Sequence, residues 1–278
     1  MTIVVTGATG NVGRPLVTEL IRAGAAVRAV TRRPGAADLP PGVQAVPSAA
    51  DALDGATALF VNSRALGPGM ADLIDRGRAI GVPKLVALSA INVDDDVTRQ
   101  PSRYRGDRNR EAEQLVVESG LPWVSLRPSV FATNFAGMWA AQIQAGDVVA
   151  GPYAAASSAP IVEADIAAVA ARALLTDELD GLRVPLTGPQ ALTNTQLVQV
   201  ISAVLGRSLR YLEVPAEVVR QRFVSIGFTT EFADAYLAMQ AATVDRPALV
   251  THDVEKVLGR PARTFADWVA DHTTLFNH

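Results

Sequence analysis

The sequence predicts a doubly wound α/β fold, a parallel sheet followed by a smaller C-terminal α/β lobe, and three observations predict it. The first half of the chain alternates short β-branched runs with amphipathic stretches, the rhythm of βαβ units feeding a parallel sheet. Leu85-Val86-Ala87-Leu88 is continuously apolar rather than alternating, as a strand buried on both faces requires. A glycine-rich turn, Gly7 to Gly13, follows the first apolar run directly and opens an amphipathic one.

Taken in order, strands are expected at 3–6, 26–31, 58–62, 85–89 and 123–127, with a short further one at 43–46. Between them the apolar spacing predicts helices over 12–23, 70–80 and 107–118. Each stops close to a glycine (Gly24, Gly81, Gly120) that can adopt the left-handed cap conformation. Beyond Arg127-Pro128 the rhythm changes. The stretch 129–160 reads as loop-rich, and a helix over 164–175, capped by Asp165 and keeping one wet face, comes next. A strand follows at 182–186, a helix at 195–205 and a strand at 209–214. Helices are then expected at 216–225, 230–242, 253–258 and 265–271. The expected organisation is a nucleotide-binding domain over residues 1–130 with 161–183 packed on it, and a substrate lobe made of 131–160 and 184–278.

Composition removes several function classes. Of the 278 residues, 49% are hydrophobic and 19% charged, enough apolar surface to bury a large core and too little charge for a disordered chain. The formal net charge of −3 has the wrong sign for a general nucleic-acid binder. With no cysteine there is no disulfide, thiol nucleophile or thiolate metal site, and His252, His272 and His278 are too scattered to hold a metal. The first residues lack the positive segment of a signal peptide and no apolar run reaches membrane-spanning length. The protein is therefore expected in the cytoplasm, without a membrane or nucleic-acid partner. Nothing in the sequence decides its oligomeric state.

The strongest single signal is Gly7-Ala8-Thr9-Gly10-Asn11-Val12-Gly13 between a strand and a helix. Gly7 can turn sharply out of the strand, Gly10 lets the backbone approach a pyrophosphate, and Gly13 lets the helix pack closely on the sheet, with the phosphates held by amide N–H groups and the helix dipole. Thr9, Asn11 and Val12 complete this cradle. The spacing is G-x-x-G-x-x-G, not the G-x-G-x-x-G of the strict dinucleotide fingerprint. At the tip of the second strand, where an NAD site usually carries an acidic residue, stand Arg32 and Arg33. Two guanidiniums without a carboxylate suit a ribose 2′-phosphate, so NADP(H) is the expected cofactor. The alternative is that one or both are solvated loop residues. Asn62 and Ser63, at the end of the third main strand, are further cofactor candidates.

These residues, with Val30-Thr31-Arg32, Leu88-Ser89-Ala90 and the run from Leu126 to Phe135, resemble the NmrA-like family of atypical short-chain dehydrogenases/reductases. Glu163 to Ala167 and Leu186 to Pro189 extend the resemblance over most of the chain. It implies a Rossmann-type domain with a small substrate lobe, NADP(H) more often than NAD(H), and two kinds of member. Some reduce quinones, enones, imines or related apolar substrates; others bind the dinucleotide as redox-sensing regulators.

The catalytic pattern departs from that of ordinary short-chain dehydrogenases, in which a Tyr-x-x-x-Lys pair supplies the proton. Four positions after Tyr104, Tyr153, Tyr211 and Tyr236 stand Arg108, Ser157, Pro215 and Gln240, and Lys84 and Lys256 lie elsewhere. Where the atypical family often has a lysine or histidine four residues before a glutamate, alignment on Glu113 places Asn109, which can hydrogen-bond but not titrate. Tyr104 falls one residue from the expected tyrosine register, which Arg105 occupies; it either rotates into the site or covers the helix start. Ser89, ending the fourth main strand, either polarises a substrate carbonyl and touches the nicotinamide or only bonds neighbouring backbone. Phe131 and Asn134 are placed for nicotinamide packing and orientation. The charges of 94–113, Glu113 included, read as a solvated helix face, and Phe135, Trp139, Phe223, Phe228 and Tyr236 line the substrate pocket or join the core. The expected activity is NADPH-dependent reduction of an apolar conjugated or cyclic acceptor (quinone, enone, ketone or imine). The rival is an NADP(H)-binding redox-sensing regulator without turnover.

Overall fold

β1 (Thr2–Thr6) is buried on both faces and pairs in parallel with β2 (Ala26–Val30) on one side. α1 (Gly13–Arg22) connects the two and buries Leu16, Val17 and Leu20. β3 (Gln44–Val46) continues outward from β2, and the chain then crosses back so that β4 (Ala58–Asn62) lies on the other side of β1. A short α2 (Ser63–Leu66) and α3 (Met70–Ala79) lead to β5 (Leu85–Leu88), and α4 (Asn109–Glu118) leads to β6 (Trp123–Pro128). The remaining elements are α5 (Ala132–Ala145), β7 (Val148–Gly151), β8 (Ser157–Ser158), α6 (Glu163–Leu175), β9 (Leu182–Leu186), β10 (Leu192–Thr193) and α7 (Asn194–Leu205). They are followed by β11 (Arg210–Glu213), α8 (Ala216–Ser225), α9 (Thr230–Ala241), α10 (Asp253–Leu258) and α11 (Phe265–Asp271).

This computed structural model describes residues 1–277 and divides into two units, Met1–Val93 with Gly106–Pro128 and Glu163–Pro185, and Asp94–Arg105 with Ser129–Val162 and 186–277. Seven strands form the main sheet in the order β3-β2-β1-β4-β5-β6-β9, and the pairs from β3 to β6 are parallel. The doubly wound α/β fold expected from the sequence is present. The order reverses between β1 and β4, and in sheets of this kind the crevice for a ligand opens at the carboxyl ends of the strands flanking such a reversal. One face of the sheet packs on α3 and α4 through Leu59, Val61, Leu85, Leu73, Ile74 and Val116. On α6, Ile166, Ala167, Val169 and Ala170 are fully buried, and this helix packs against α1.

Two buried ionic knots tie the first unit together. Lys84 Nζ, at the start of β5, donates to Thr176 O (2.6 Å) and Asp177 Oδ1 (2.8 Å) and pairs with Asp180 (2.7 Å), fixing the segment between α6 and β9. Glu113, one turn into α4, is buried and accepts from Ser125 Oγ (2.5 Å), Arg127 Nε (2.9 Å) and Arg183 Nε (2.8 Å), with Arg127 Nη2 closing a bidentate pair. It is therefore not part of the solvated face expected from its neighbours' charge. The strand partners that bury it lie 12 to 70 positions away in sequence, beyond the reach of a local pattern.

In the second unit, β7 pairs in parallel with β11 and β8 antiparallel with β10. The stretch 129–160, expected as loop, contains the fourteen-residue α5. Its buried positions Ala132, Phe135, Ala136, Trp139 and Ile143 do follow helical spacing, but alanines, an internal glycine and the absence of a side-chain cap hide the stripe in the sequence. Phe135 packs on Trp139 (5.1 Å between ring centroids) and Phe265 (5.3 Å), so both α5 aromatics are core. Phe223, Phe228, Phe232 and Tyr236 form a second aromatic cluster between α8 and α9. Asp165 is not a cap: α6 begins two residues earlier, and Asp165 is fully buried in its first turn, so the wet side of this helix is carried by Arg172 instead. Among the described residues no helix is long and apolar enough to cross a membrane.

Burial alone would raise the Glu113 carboxyl, but hydrogen bonds from Arg127, Ser125 and Arg183 and the Arg127 charge outweigh it and hold it at about 2, below its usual 4.5. A carboxylate depressed on folding stabilises the native state above its unfolded value and loses that contribution as pH falls through the folded one. Glu113→Gln should therefore lower unfolding stability by about 3 kcal/mol at neutral pH. In denaturant titrations the difference from wild type should shrink as pH falls from about 4.5 towards 2; a difference that stays constant across that range contradicts the assignment.

Candidate functional site

The carboxyl ends of β1, β2, β4 and β5 and the start of α4 carry the site residues of the first unit. Leaving β1, Gly7 has φ +68°, a left-handed conformation open to glycine, and a Cβ there would come within 2.9 Å of Asn62 Nδ2. Gly10 N–H donates to Gly7 O (2.9 Å) to close the turn. At Gly13 a Cβ would stand 2.1 Å from Gly7 O, so only glycine lets α1 start against the turn it follows. A Cβ on Gly10 would meet only Gly7 O, at 3.2 Å, and so would point where a ligand could approach the backbone. The first turn of α1 thus presents amide N–H groups at a helix N-terminus, the arrangement that binds phosphate.

Arg14, which sequence reasoning passed over, bridges the turn to the segment after β2: Nε donates to Thr9 O (3.1 Å) and Nη1 to Asp38 O (2.8 Å). Its signal was the basic residue placed immediately after the last glycine of the motif. The Arg32 and Arg33 side chains form no hydrogen bond or ion pair among the described residues. With the Arg32 and Arg33 side chains both exposed just past the end of β2, two cations without a protein partner among the described residues stand at this tip. That charge balance suits a dianionic phosphate.

At β4, Thr6 Oγ1 donates to Phe60 O (2.7 Å) and accepts from Asn62 N (2.8 Å), locking the ends of β1 and β4 together. Asn62 then caps α2 through Oδ1, which accepts from Ala65 N. Ser63 is buried and bonds to Asn109, so two of the sequence candidates, on α2 and α4, meet directly. Ser89, just past β5, is 3% exposed; its backbone N–H donates to Leu126 O (2.8 Å) while its hydroxyl makes no hydrogen bond among the described residues. A buried polar group without a partner is uncommon, and a ligand at the end of β5 is one way to satisfy it. Glu113 grips β6 from one turn further along α4, which fixes the helix rotation that presents Asn109.

Tyr104 and Phe131 belong to the second unit. Tyr104 packs on the cluster of Val219, Phe232, Tyr236 and Leu237. Phe131 precedes α5 and bridges to Ile161. Tyr211 and Tyr236 are driven upward by burial and so are poor proton donors at neutral pH. No group of three or more metal-ligating side chains occurs among the described residues.

The sequence matches the NmrA-like family over residues 1–269, and the chain belongs to that family. It is 35% identical over 99% of its own length and 99% of the relative's to the (4-alkanoyl-5-oxo-2,5-dihydrofuran-3-yl)methyl phosphate reductase of Streptomyces griseus. It is 34% identical to the NAD(P)H azoreductase of Xenophilus azovorans, over 74% of this chain and 71% of that one. The NADPH-dependent quinone oxidoreductase of Escherichia coli has the same fold, with a TM-score of 0.82 at 22% identity over 98% and 100% of the two chains. With named reductases among its relatives, the chain is an oxidoreductase of this family.

Gly13 and Gly10 differ in what they protect, and substitution separates them. Gly13→Ala forces a backbone clash and should cost about 3 kcal/mol or more of unfolding stability. Gly10→Ala should change stability by about 1 kcal/mol or less while weakening dinucleotide binding at least tenfold in calorimetric titration. Wild-type affinity in a folded Gly10→Ala protein would place the phosphates elsewhere.

Proposed function

We propose that the protein is an NADPH-dependent reductase of carbon–carbon double bonds conjugated to carbonyl groups, the acyl-butenolide type of acceptor, with quinones as the related alternative. The observation that carries this reading is the donor set at the end of β5 and the start of α4. Ser89 and Asn109 can donate hydrogen bonds, and neither is an acid that titrates near neutral pH.

The residues fit NADP(H). Gly7 to Gly13 and the N-terminus of α1 would hold the pyrophosphate, Arg32 and Arg33 the 2′-phosphate, and Ser89 and Asn109 would flank the nicotinamide half. Bound NADPH supplies a hydride. The named substrate of the Streptomyces griseus relative has its ring double bond between a carbon bearing the phosphomethyl group and a carbon bearing the alkanoyl group beside the ring carbonyl. A hydride forming a C–H bond at the first carbon sends the π electrons toward two carbonyl oxygens, and the resulting enolate takes its proton from water. Such an acceptor needs orientation and a donor to the developing oxyanion, not a tyrosine–lysine acid. The buried, unpartnered Ser89 hydroxyl is that donor. An isolated ketone, whose alkoxide must be protonated as it forms, is a poor match. The orphaned hydroxyl and the named reductases among the relatives also favour turnover over dinucleotide sensing.

NADPH oxidation should proceed with a 2-acyl butenolide and yield the saturated lactone with its ketone intact, while a simple ketone should give no turnover; an alcohol product overturns the acceptor class. In calorimetric titrations wild type should bind NADPH more tightly than NADH, and Arg32→Ala should weaken NADPH about 10- to 100-fold with little change for NADH. For the chemical step, Ser89→Ala should lower kcat about 100-fold at unchanged NADPH affinity, whereas Tyr104→Phe should keep most of it. The reverse order would make Tyr104 the donor.

A further inference from the structure

Ser63 opens α2 and is 2% exposed, and its hydroxyl has two neighbours on the start of α4. The backbone N–H of Arg108 donates to Ser63 Oγ at 3.0 Å, and Oγ lies 3.2 Å from Asn109 Oδ1. A backbone N–H can only donate, so the Ser63 oxygen is the acceptor in the first contact. The Asn109 atom facing it is Oδ1, which can only accept, so the Ser63 proton goes to Asn109. The polarity of the chain is fixed at both ends: Arg108 N–H to Ser63 Oγ, Ser63 Oγ–H to Asn109 Oδ1. Asn109 Nδ2 makes no hydrogen bond among the described residues, and Asn109 itself is only half-buried.

We infer that Ser63 is a positioning residue: it locks the Asn109 amide with its NH2 group outward, making position 109 a one-way donor that takes an acceptor oxygen of the ribose next to the nicotinamide. The inference rests on the proposed dinucleotide reading and adds how this site manages without a lysine. A free asparagine could present either its oxygen or its nitrogen to a ligand. With Oδ1 held by Ser63, only the nitrogen remains, and the donor is set before the ligand arrives. The donor is uncharged, so its strength does not vary with pH. The lock also supplies α4 with a partner for the Arg108 N–H at its start, where no side-chain cap is present.

Calorimetric titration of the full chain with two probes tests this, NADPH and adenosine 2′,5′-bisphosphate, which has the adenine half and its 2′-phosphate but no nicotinamide ribose. Ser63→Ala and Asn109→Ala should each weaken NADPH about three- to tenfold and leave the bisphosphate unchanged, and the double variant should be no weaker than Asn109→Ala. Asn109→Asp keeps the bond from Ser63 but turns the donor face into an acceptor, so it should weaken NADPH at least as much as Asn109→Ala. That variant carries the test if Ser63→Ala does not fold. Equal losses for both probes, additive losses in the double variant, or wild-type NADPH binding by Asn109→Asp would each overturn the positioning role while leaving the cofactor reading intact. Wild-type protein that binds neither probe would overturn both.

Discussion

The contact on which the first unit depends is the approach of α1 to the turn that precedes it. At Gly13 the helix backbone comes so close to Gly7 O and Ala8 that no β-carbon fits. That proximity lets the helix begin at the carboxyl end of the interior strand β1 and leave its first amide groups facing away from the strand. The turn in turn leans on Asn62, which a side chain at Gly7 would strike, and Asn62 is tied to β1 through Thr6. Asn62 leads directly into Ser63, and Ser63 into Asn109. A ligand cradle at one end of this line and an oriented amide at the other are therefore set by one packing constraint at the first strand reversal.

Charge is used sparingly and in different ways across the first unit. Glu113 gathers two arginines and a serine in a buried knot, and Lys84 gathers two aspartates and a carbonyl at the opposite end of β5. Both knots are closed, since each buried charge has its counter-charge and further hydrogen bonds. Arg32 and Arg33 are different: they stand at the β2 tip without partners. Compensated charges hold the scaffold, and uncompensated ones are left for the ligand.

The chemistry follows from what the site omits. Neither lysine is on α4, the buried tyrosines are poor proton donors, and the groups offered at the end of β5 and the start of α4 are a serine and an asparagine. A site of this kind can orient an acceptor and support a developing oxyanion but cannot deliver a strong acid, which restricts it to acceptors whose electrons already have somewhere to go.

The sequence by itself determined the parallel strands, the glycine turn, the basic tip of β2 and the missing tyrosine–lysine pair, because each is written in neighbouring residues or in fixed spacing. Tertiary structure decided the rest. The apolar stripe of α5 became visible only with Phe265 and Tyr211 packed on it, since its alanines and Gly137 carry little periodic contrast. In sequence Asp165 reads as a helix cap and Glu113 as a solvated helix charge, and both are buried because other elements cover them. The pairing of Ser63 with Asn109 joins residues 46 positions apart. No local pattern encodes such a bond; it exists because β4 and β5 lie side by side and bring α2 against the first turn of α4.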